Sequence, residues 1–273
     1  MDVVLNNLPT ILALLATGVF AGLLAGLLGV GGGIVIVPVL FFLFQLFGVS
    51  AQSAILIATA TSLATIVPTS LSSIRSHHKL GNVDLVLLKT WCLYILLGVI
   101  VGSLLVTQFG GKWLGVLFGI IASLAALNMM FGQGKSNVAE SLPNKYWQRL
   151  FASCIGFISA MVGIGGGTLS VPILTAFSYP ARKAVGTAAG IGLIISLPAA
   201  MTMLILGNTP SDAPFGTYGL VNLVGFVCIV PLTVLFAPIG AKLANIIDGN
   251  LLKRVFAILL LVTGLRMFAQ LFI

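Results

Sequence analysis

Long apolar stretches alternate with short polar ones along the whole chain. About 20 consecutive apolar residues are enough to cross a bilayer core, and most of these stretches reach that length. The pattern therefore predicts an all-α, polytopic membrane protein. The predicted helical segments are 9–29, 34–47, 53–74, 84–107, 112–131, 147–162, 168–177, 184–206, 218–242 and 251–272.

The two shortest apolar stretches each follow a cluster of glycines. The clusters are Gly29-Val30-Gly31-Gly32-Gly33 and Gly163-Ile164-Gly165-Gly166-Gly167. Glycine destabilises a helix by about 1 kcal/mol relative to alanine, so three in a row predict a break. Broken helices survive in a bilayer only where the freed backbone groups are buried in protein or line a cavity. We therefore expect two glycine-broken hairpins, re-entrant or discontinuous.

The surroundings of the two clusters repeat. Residues 22–40 align without gaps on residues 156–174. The residues that recur at their partners are Gly22, Gly29, Gly31, Gly32, Gly33, Val37, Pro38 and Leu40. This predicts an internal duplication, with a first transmembrane repeat over 1–132, a polar linker over 133–146 and a second repeat over 147–273.

Basic residues mark which loops face the cytoplasm. Lys and Arg concentrate in the loop 75–89, the linker, the loop 178–183 and the region 242–254; the loops 48–52 and 207–217 have none, and the turn near 110 has one. Equivalent loops of the two halves then fall on opposite sides. The halves are predicted to be inverted-topology repeats of five segments each, with a cytoplasmic linker and external termini.

The glycine breaks also predict a chemistry. A helix that restarts after a break directs free N–H groups and its positive dipole end toward the break, which suits an anion. The alternatives are close helix packing for the glycines and bonding within the same helix for a lone hydroxyl. The candidate substrate-binding residues are Gly31, Gly32, Gly33, Thr61, Ser62, Gly165, Gly166, Gly167, Thr168 and Thr187.

A second hypothesis concerns the polar loop predicted at 75–82. Arg75, His78 and Lys79 would recruit an anion from the cytoplasm. The alternative is a solvated loop whose charges only set the topology.

Composition narrows the function classes. The chain is 59% hydrophobic and 7% charged, with a net charge of +8, which excludes a soluble domain and fits the basic excess of cytoplasmic loops. The acidic residues fall in loops or at segment ends, so no buried proton relay is expected. Nothing predicts a nucleotide-binding loop, a catalytic constellation, a metal site, a cofactor or nucleic-acid binding. The chain is not expected to be an enzyme.

Several further motifs carry a family resemblance. They are Ala60-Thr61-Ser62-Leu63, Gly81-Asn82-Val83-Asp84, Gly186-Thr187, Val221-Asn222 and Ala237-Pro238-Ile239-Gly240-Ala241-Lys242. With the doubled glycine cluster, they make the sequence resemble the TauE/SafE family of sulfite exporters and related anion permeases. The resemblance implies transport of sulfite or organosulfonates across the bacterial inner membrane, usually outward. Where the first copy has Ser62-Leu63, the second has Ala188-Ala189, so equal hydroxyl contacts from both halves are in doubt.

The sequence thus predicts a secondary transporter in the bacterial inner membrane that exports sulfite or a related small sulfur oxyanion or organosulfonate by alternating access. Its expected partners are that small anion and the lipid bilayer. The alternatives are a channel-like anion pore and an importer of another small anion.

Overall fold

The structure is a computed structural model that describes residues 8–29, 31–108, 111–131, 141–244, 257–258, 261–262, 264–266 and 269. Its elements in chain order are helices α1 Leu8–Leu28, α2 Gly33–Leu46, α3 Ala51–Lys79, α4 Leu85–Gln108, α5 Gly111–Phe131, α6 Lys145–Val162, α7 Gly167–Ala176 and α8 Ala181–Ile205, strands β1 Thr217–Tyr218 and β2 Val221–Asn222, and helix α9 Leu223–Leu243. Among the described residues, six helices are long and apolar enough to cross a membrane. The all-α polytopic membrane fold is confirmed.

Two predicted regions lie mostly or partly outside the described residues. Of the helix predicted over 251–272, the structure describes 257–258, 261–262, 264–266 and 269, which are helical. Of the predicted linker over 133–146, residues 133–140 lie outside the described part, 141–144 are non-helical, and α6 begins at Lys145.

Both predicted glycine breaks are present. Helix α1 ends at Leu28 and α2 begins at Gly33; α6 ends at Val162 and α7 begins at Gly167. At the first break Gly31 and Gly32 have φ angles of +73° and +80°. Glycine reaches this left-handed region without the steric penalty that a side chain brings, so the cluster allows the chain to reverse direction.

The polar loop predicted at 75–82 is mostly wrong. Helix α3 continues through Lys79 and ends only before Leu80 and Gly81, where Gly81 has φ +70°. Arg75, His78 and Lys79 therefore lie in or near the last turn of a helix. Basic side chains are favourable there because the helix dipole is negative at that end.

Two other boundaries also differ from the predictions. Arg182 and Lys183 belong to the first turn of α8 rather than to a loop, because Pro180 occupies the N-cap position. The helix predicted over 218–242 begins at Leu223, after a short antiparallel hairpin of β1 and β2. The Asn222 side chain caps α9 by accepting a hydrogen bond from the Gly225 N–H at 2.8 Å.

Contacts between loops sort them into two ends of the molecule. At one end, the Ser50 N–H donates to Asp212 Oδ2 at 2.8 Å. At the other end, the Tyr179 hydroxyl donates to the Asp84 carboxylate. Helix α3 runs between these ends, and its 29 residues span about 43 Å at 1.5 Å per residue.

The two broken hairpins enter from these opposite ends. Helix α2 leads to Ser50 at the first end, and α7 leads to Tyr179 at the second. The arms of the first hairpin lie side by side, since a Cβ on Gly32 would be 2.8 Å from the Ala21 carbonyl oxygen. With 14 and 10 residues, α2 and α7 extend only about 21 and 15 Å, so both reach only part of the way across.

The first helix of each half packs against the fourth helix of the other half. A Cβ on Gly26 of α1 would lie 2.0 Å from the Ala237 carbonyl oxygen of α9. In the same way, a Cβ on Gly98 of α4 would lie 2.1 Å from the Ser153 carbonyl oxygen of α6. Small residues permit this close approach of membrane helices, and the exchange interlocks the two halves.

We expect Gly26→Val and Gly98→Val each to destabilise the fold, because the added atoms meet rigid backbone rather than movable side chains. Overpacking of this kind costs typically 1–3 kcal/mol or more. The measurement is the thermal unfolding midpoint in detergent. Matched controls are Phe20→Val and Val101→Leu, which are 56% and 53% exposed on the same two helices. Unchanged midpoints in the glycine variants would contradict the interlocked packing.

Candidate functional site

The two glycine breaks meet at the centre of the molecule. A Cβ on Gly31 would lie 3.4 Å from the Gly165 Cα, and one on Gly33 would lie 2.5 Å from the Gly163 carbonyl oxygen. These glycines are buried. The tips of the two hairpins are therefore in direct contact, although they enter from opposite ends.

Helix α3 crosses this contact and pairs one of the broken ends. The buried Ser62 hydroxyl donates to the Gly163 carbonyl at 2.7 Å. Gly163 is the C-cap of α6 and has φ +76°, so its carbonyl cannot be paired by a continuing helix. Ser62, a predicted substrate-binding residue, thus has a structural partner in this conformation.

The beginnings of α2 and α7 both lie at this contact. The Val35 and Ile36 N–H groups donate to the Gly32 carbonyl at 3.1 and 3.2 Å, which starts α2. In α7 the Ser170 N–H donates to the Gly166 carbonyl at 2.9 Å. Each helix dipole therefore has its positive end at the centre.

Thr61 and Thr187 occupy equivalent places in the two halves. The Thr61 hydroxyl accepts from the Asn222 N–H at 2.9 Å, and the Thr187 hydroxyl accepts from the Asp84 N–H at 3.0 Å. Asn222 and Asp84 each cap the helix that follows, α9 and α4. Both threonines therefore hold the entrance of a helix, one in each half.

Thr168 lies beside the second break and lines a narrow crevice. Its side chain is 8% exposed, and its hydroxyl has no described hydrogen-bond partner. The other residues that line the crevice are Ile34, Phe118, Ile121, Ala122, Val162 and Ile164. An unpaired hydroxyl among apolar side chains is unfavourable and marks a place where a polar ligand would be stabilised.

Thr168 is one of a larger set of buried hydroxyls on the helices around the breaks. Within the described part of the chain, the hydroxyls without a hydrogen-bond partner are those of Thr59, Ser70, Ser159, Thr168, Ser170 and Ser196. Most buried polar groups in proteins are paired, so such a concentration is unusual. Sequence reasoning did not select Ser70, Ser159 or Ser196, because single serines in apolar helices carry no local signal.

The basic residues near the end of α3 divide by direction. Arg75, His78 and Lys79 are exposed, which leaves them available to solvent anions. His77 instead is buried, and its Nε2 donates to the Gly26 carbonyl at 2.8 Å. A carbonyl only accepts hydrogen bonds, so Nε2 carries the proton.

Ser73 lies one turn before His77 on the same face of α3. Its hydroxyl donates to the Ala25 carbonyl at 3.3 Å. Ala25 and Gly26 belong to the last turn of α1, whose carbonyls lose their helical partners at the break. Ser73 and His77 therefore pair the broken end of α1, as Ser62 pairs the broken end of α6.

Carboxylates close the loops at both ends. The hydrogen bonds from Tyr179 and from the Leu87 N–H lower the pKa of Asp84, while burial and the Asp84 carboxylate raise the pKa of Tyr179. At the other end, hydrogen bonds from Ser53 and from the Ser50 N–H lower the pKa of Asp212 to about 2. Both carboxylates are therefore ionised at neutral pH, and each ties two loops together.

With these contacts described, the chain can be compared with known proteins. The family model for sulfite exporter TauE/SafE matches residues 14–267. The chain belongs to the TauE/SafE family. The resemblance carried by the sequence motifs is thereby confirmed.

Relatives of this TauE/SafE protein cover nearly their whole length. A probable membrane transporter protein of Haemophilus influenzae is 30% identical over 260 residues, which are 95% of this chain and 98% of that protein. A probable membrane transporter protein of Methanocaldococcus jannaschii is 28% identical, over 93% of this chain and 94% of its own length. The probable membrane transporter protein YunE of Bacillus subtilis is 26% identical, over 93% and 96%. No solved structure matches the chain.

We expect Ser62→Ala to destabilise the protein, because it leaves the Gly163 carbonyl unpaired in an apolar interior. The loss of one partner of a buried hydrogen bond costs about 1–3 kcal/mol. Thr90→Ala is the control, since the Thr90 hydroxyl is exposed and bonds only to its own helix. Unfolding in detergent measures both variants, and equal stability would show that Ser62 does not support the break.

The Asp212 contact should depend on pH. Its folded pKa is depressed from 3.8 to about 2, so its stabilisation is complete above the ordinary value and is lost as pH falls through about 2. Wild type should therefore unfold at a higher temperature than Asp212→Asn at pH 7, and the difference should shrink between about pH 4 and pH 2. Ser211→Ala, at the exposed neighbouring residue, should show no such pH dependence. A pH-independent difference would contradict the role of the charge.

Proposed function

We propose that this protein exports sulfite or a related small sulfur oxyanion or organosulfonate across the inner membrane by alternating access. One observation carries the proposal. Two helix N-termini meet at a buried centre with several unpaired hydroxyls, and the family is that of the sulfite exporters. The predicted substrate-binding glycines Gly31, Gly33 and Gly165 lie at this centre.

The electrostatics of the centre suit a transported anion. Helix N-termini and hydroxyls donate hydrogen bonds and carry partial positive charge. Among the described residues, His77 is the only buried ionisable side chain, and it pairs with the end of α1. A site made of neutral donors would hold an anion and still release it, whereas a buried fixed cation would form a strong ion pair.

Alternating access would use the two sets of end contacts in turn. The Ser50–Asp212 bond closes one end, and the contacts of Asp84 with Tyr179 and Thr187 close the other. An open state on either side requires one set to separate while the other remains. The hairpins enter from opposite ends, which supports the proposal of inverted repeats that rock against each other.

The membrane potential supplies a driving force for export. Moving one charge through 100 mV is worth about 2.3 kcal/mol, which favours the exit of an anion from a cell that is negative inside. Arg75, His78 and Lys79 lie exposed at the end that the basic loops place in the cytoplasm. In this scheme they raise the local concentration of the anion before it enters.

Reconstituted liposomes test the proposal. We expect saturable sulfite flux that shows counterflow, and we expect Gly32→Leu and Gly166→Leu to abolish it, because each added side chain meets the packed centre. Gly48→Leu is the matched control for Gly32→Leu. Gly48 has a similar φ of +83°, but nothing lies within 4 Å of its Cβ position, so flux should persist.

The same measurements distinguish the alternatives. Flux that does not saturate and shows no counterflow would indicate a channel-like pore. Flux of another anion without any of sulfite would indicate a different substrate. Wild-type sulfite flux in both Gly32→Leu and Gly166→Leu would refute the central site.

A further inference from the structure

Gly192 of α8 leaves an open space inside the core. A Cβ at this position would lie 2.9 Å from Ser70 Oγ, and the next atoms are the Gly166 nitrogen at 3.8 Å and Ser70 Cβ at 3.9 Å. Gly190 on the same helix differs, because its Cβ position is crowded by Leu88 and Ile74 side chains at 2.7–3.0 Å. The space beside Gly192 is therefore bounded mainly by polar atoms.

The Ser70 hydroxyl points into this space without a partner. Its Oγ lies closer to the Gly192 Cβ position than its own Cβ does. Ser70 is 0% exposed, and its hydroxyl makes no hydrogen bond to a described residue. A buried hydroxyl without a partner is unfavourable, so a ligand that accepts its hydrogen bond would be stabilised.

The second donor at this space is the backbone of Gly166. Gly166 is the N-cap of α7, and its N–H makes no backbone hydrogen bond to a described residue. The positive end of the α7 dipole lies at the same point. Two donors, one hydroxyl and one N–H, thus lie within 4 Å of one position.

The same face of α8 continues with a further hydroxyl. Ser196 follows Gly192 by one helical turn and therefore lies on the same face. It is 0% exposed and also lacks a described partner. The unpaired polar groups beside the second break are thus arranged along one side of a helix.

The first break lacks an equivalent space. Counting from the matched residues Thr61 and Thr187, Ile66 is the counterpart of Gly192. The Ile66 side chain lies 2.9 Å from the Gly31 Cβ position and 2.8 Å from that of Gly33. Isoleucine therefore fills at the first break what glycine leaves open at the second.

We propose, resting on the proposed function, that the anion is held at the second break alone. One oxygen of the oxyanion occupies the space beside Gly192 and accepts hydrogen bonds from the Ser70 hydroxyl and the Gly166 N–H. The ligand class is a small anion with a terminal S–O oxygen, which sulfite and sulfonates share. The site contains no fixed charge from Ser70, Gly166 or Gly192.

Substitution of Gly192 tests the space. We expect Gly192→Ala to raise the KM for sulfite in liposomes at least tenfold, and Gly192→Ile, which copies the first break, to abolish saturable uptake. Gly190→Ala is the matched control on the same helix, where only the ends of Leu88 and Ile74 have to move, and its KM should stay within about twofold of wild type. Thermal unfolding midpoints confirm that each variant is folded.

Substitution of Ser70 tests the donor without crowding the site. Ser70→Ala should raise the KM for sulfite about tenfold, in line with the loss of one hydrogen bond to a charged group. Ser103→Ala is the control, because the Ser103 hydroxyl bonds to the Ile100 carbonyl of its own helix. Sulfite and sulfoacetate should be affected alike if the shared S–O oxygen is what Ser70 binds.

The outcomes separate this inference from the proposed function. A wild-type protein that transports sulfite, together with Ser70→Ala and Gly192→Ala variants of unchanged KM, overturns the single site and leaves the exporter intact. A wild-type protein that neither binds nor transports sulfite, thiosulfate or sulfoacetate overturns both. A KM raised for sulfite but not for sulfoacetate also overturns the shared S–O contact.

Discussion

Two helices end inside an apolar interior, and the carbonyl groups at those ends have to be paired there. In water such groups would bond to solvent, but a membrane protein has to supply donors of its own. Helix α3 supplies them for both breaks. Ser62 pairs the end of α6, while Ser73 and His77 pair the end of α1. This explains why the helix between the two hairpins is rich in hydroxyls although its surroundings are apolar.

The same helix connects the centre to the rest of the fold. Thr61 holds the entrance of α9, and the Thr69 hydroxyl bonds to that of Thr233 on the same helix at 2.6 Å. Ser70 faces the second break. Any movement that opens a break therefore changes hydrogen bonds on α3, so substrate entry and helix rearrangement are energetically linked through this one helix.

The sequence was sufficient for the elements with a local cause. Three consecutive glycines predicted each break, and the grouping of basic loops agrees with the way contacts at Ser50 and Tyr179 sort the loops. The extension of α3 through Lys79 was missed, because His77 is held by Gly26 of another helix and its polarity alone suggested a loop. Ser70 and Gly192 were missed for a similar reason: each acquires its meaning only from what lies opposite it.

The exchange of helices between halves also bears on how the protein is made. While the ribosome has synthesised only the first half, the glycine face of α4 at Gly98 has no partner, since that partner is on α6. The glycine face of α1 at Gly26 waits longer still, until α9 has entered the bilayer. The first half is thus an assembly intermediate with two uncovered small-residue faces, and duplication of the ancestral gene supplied the surfaces that complete it.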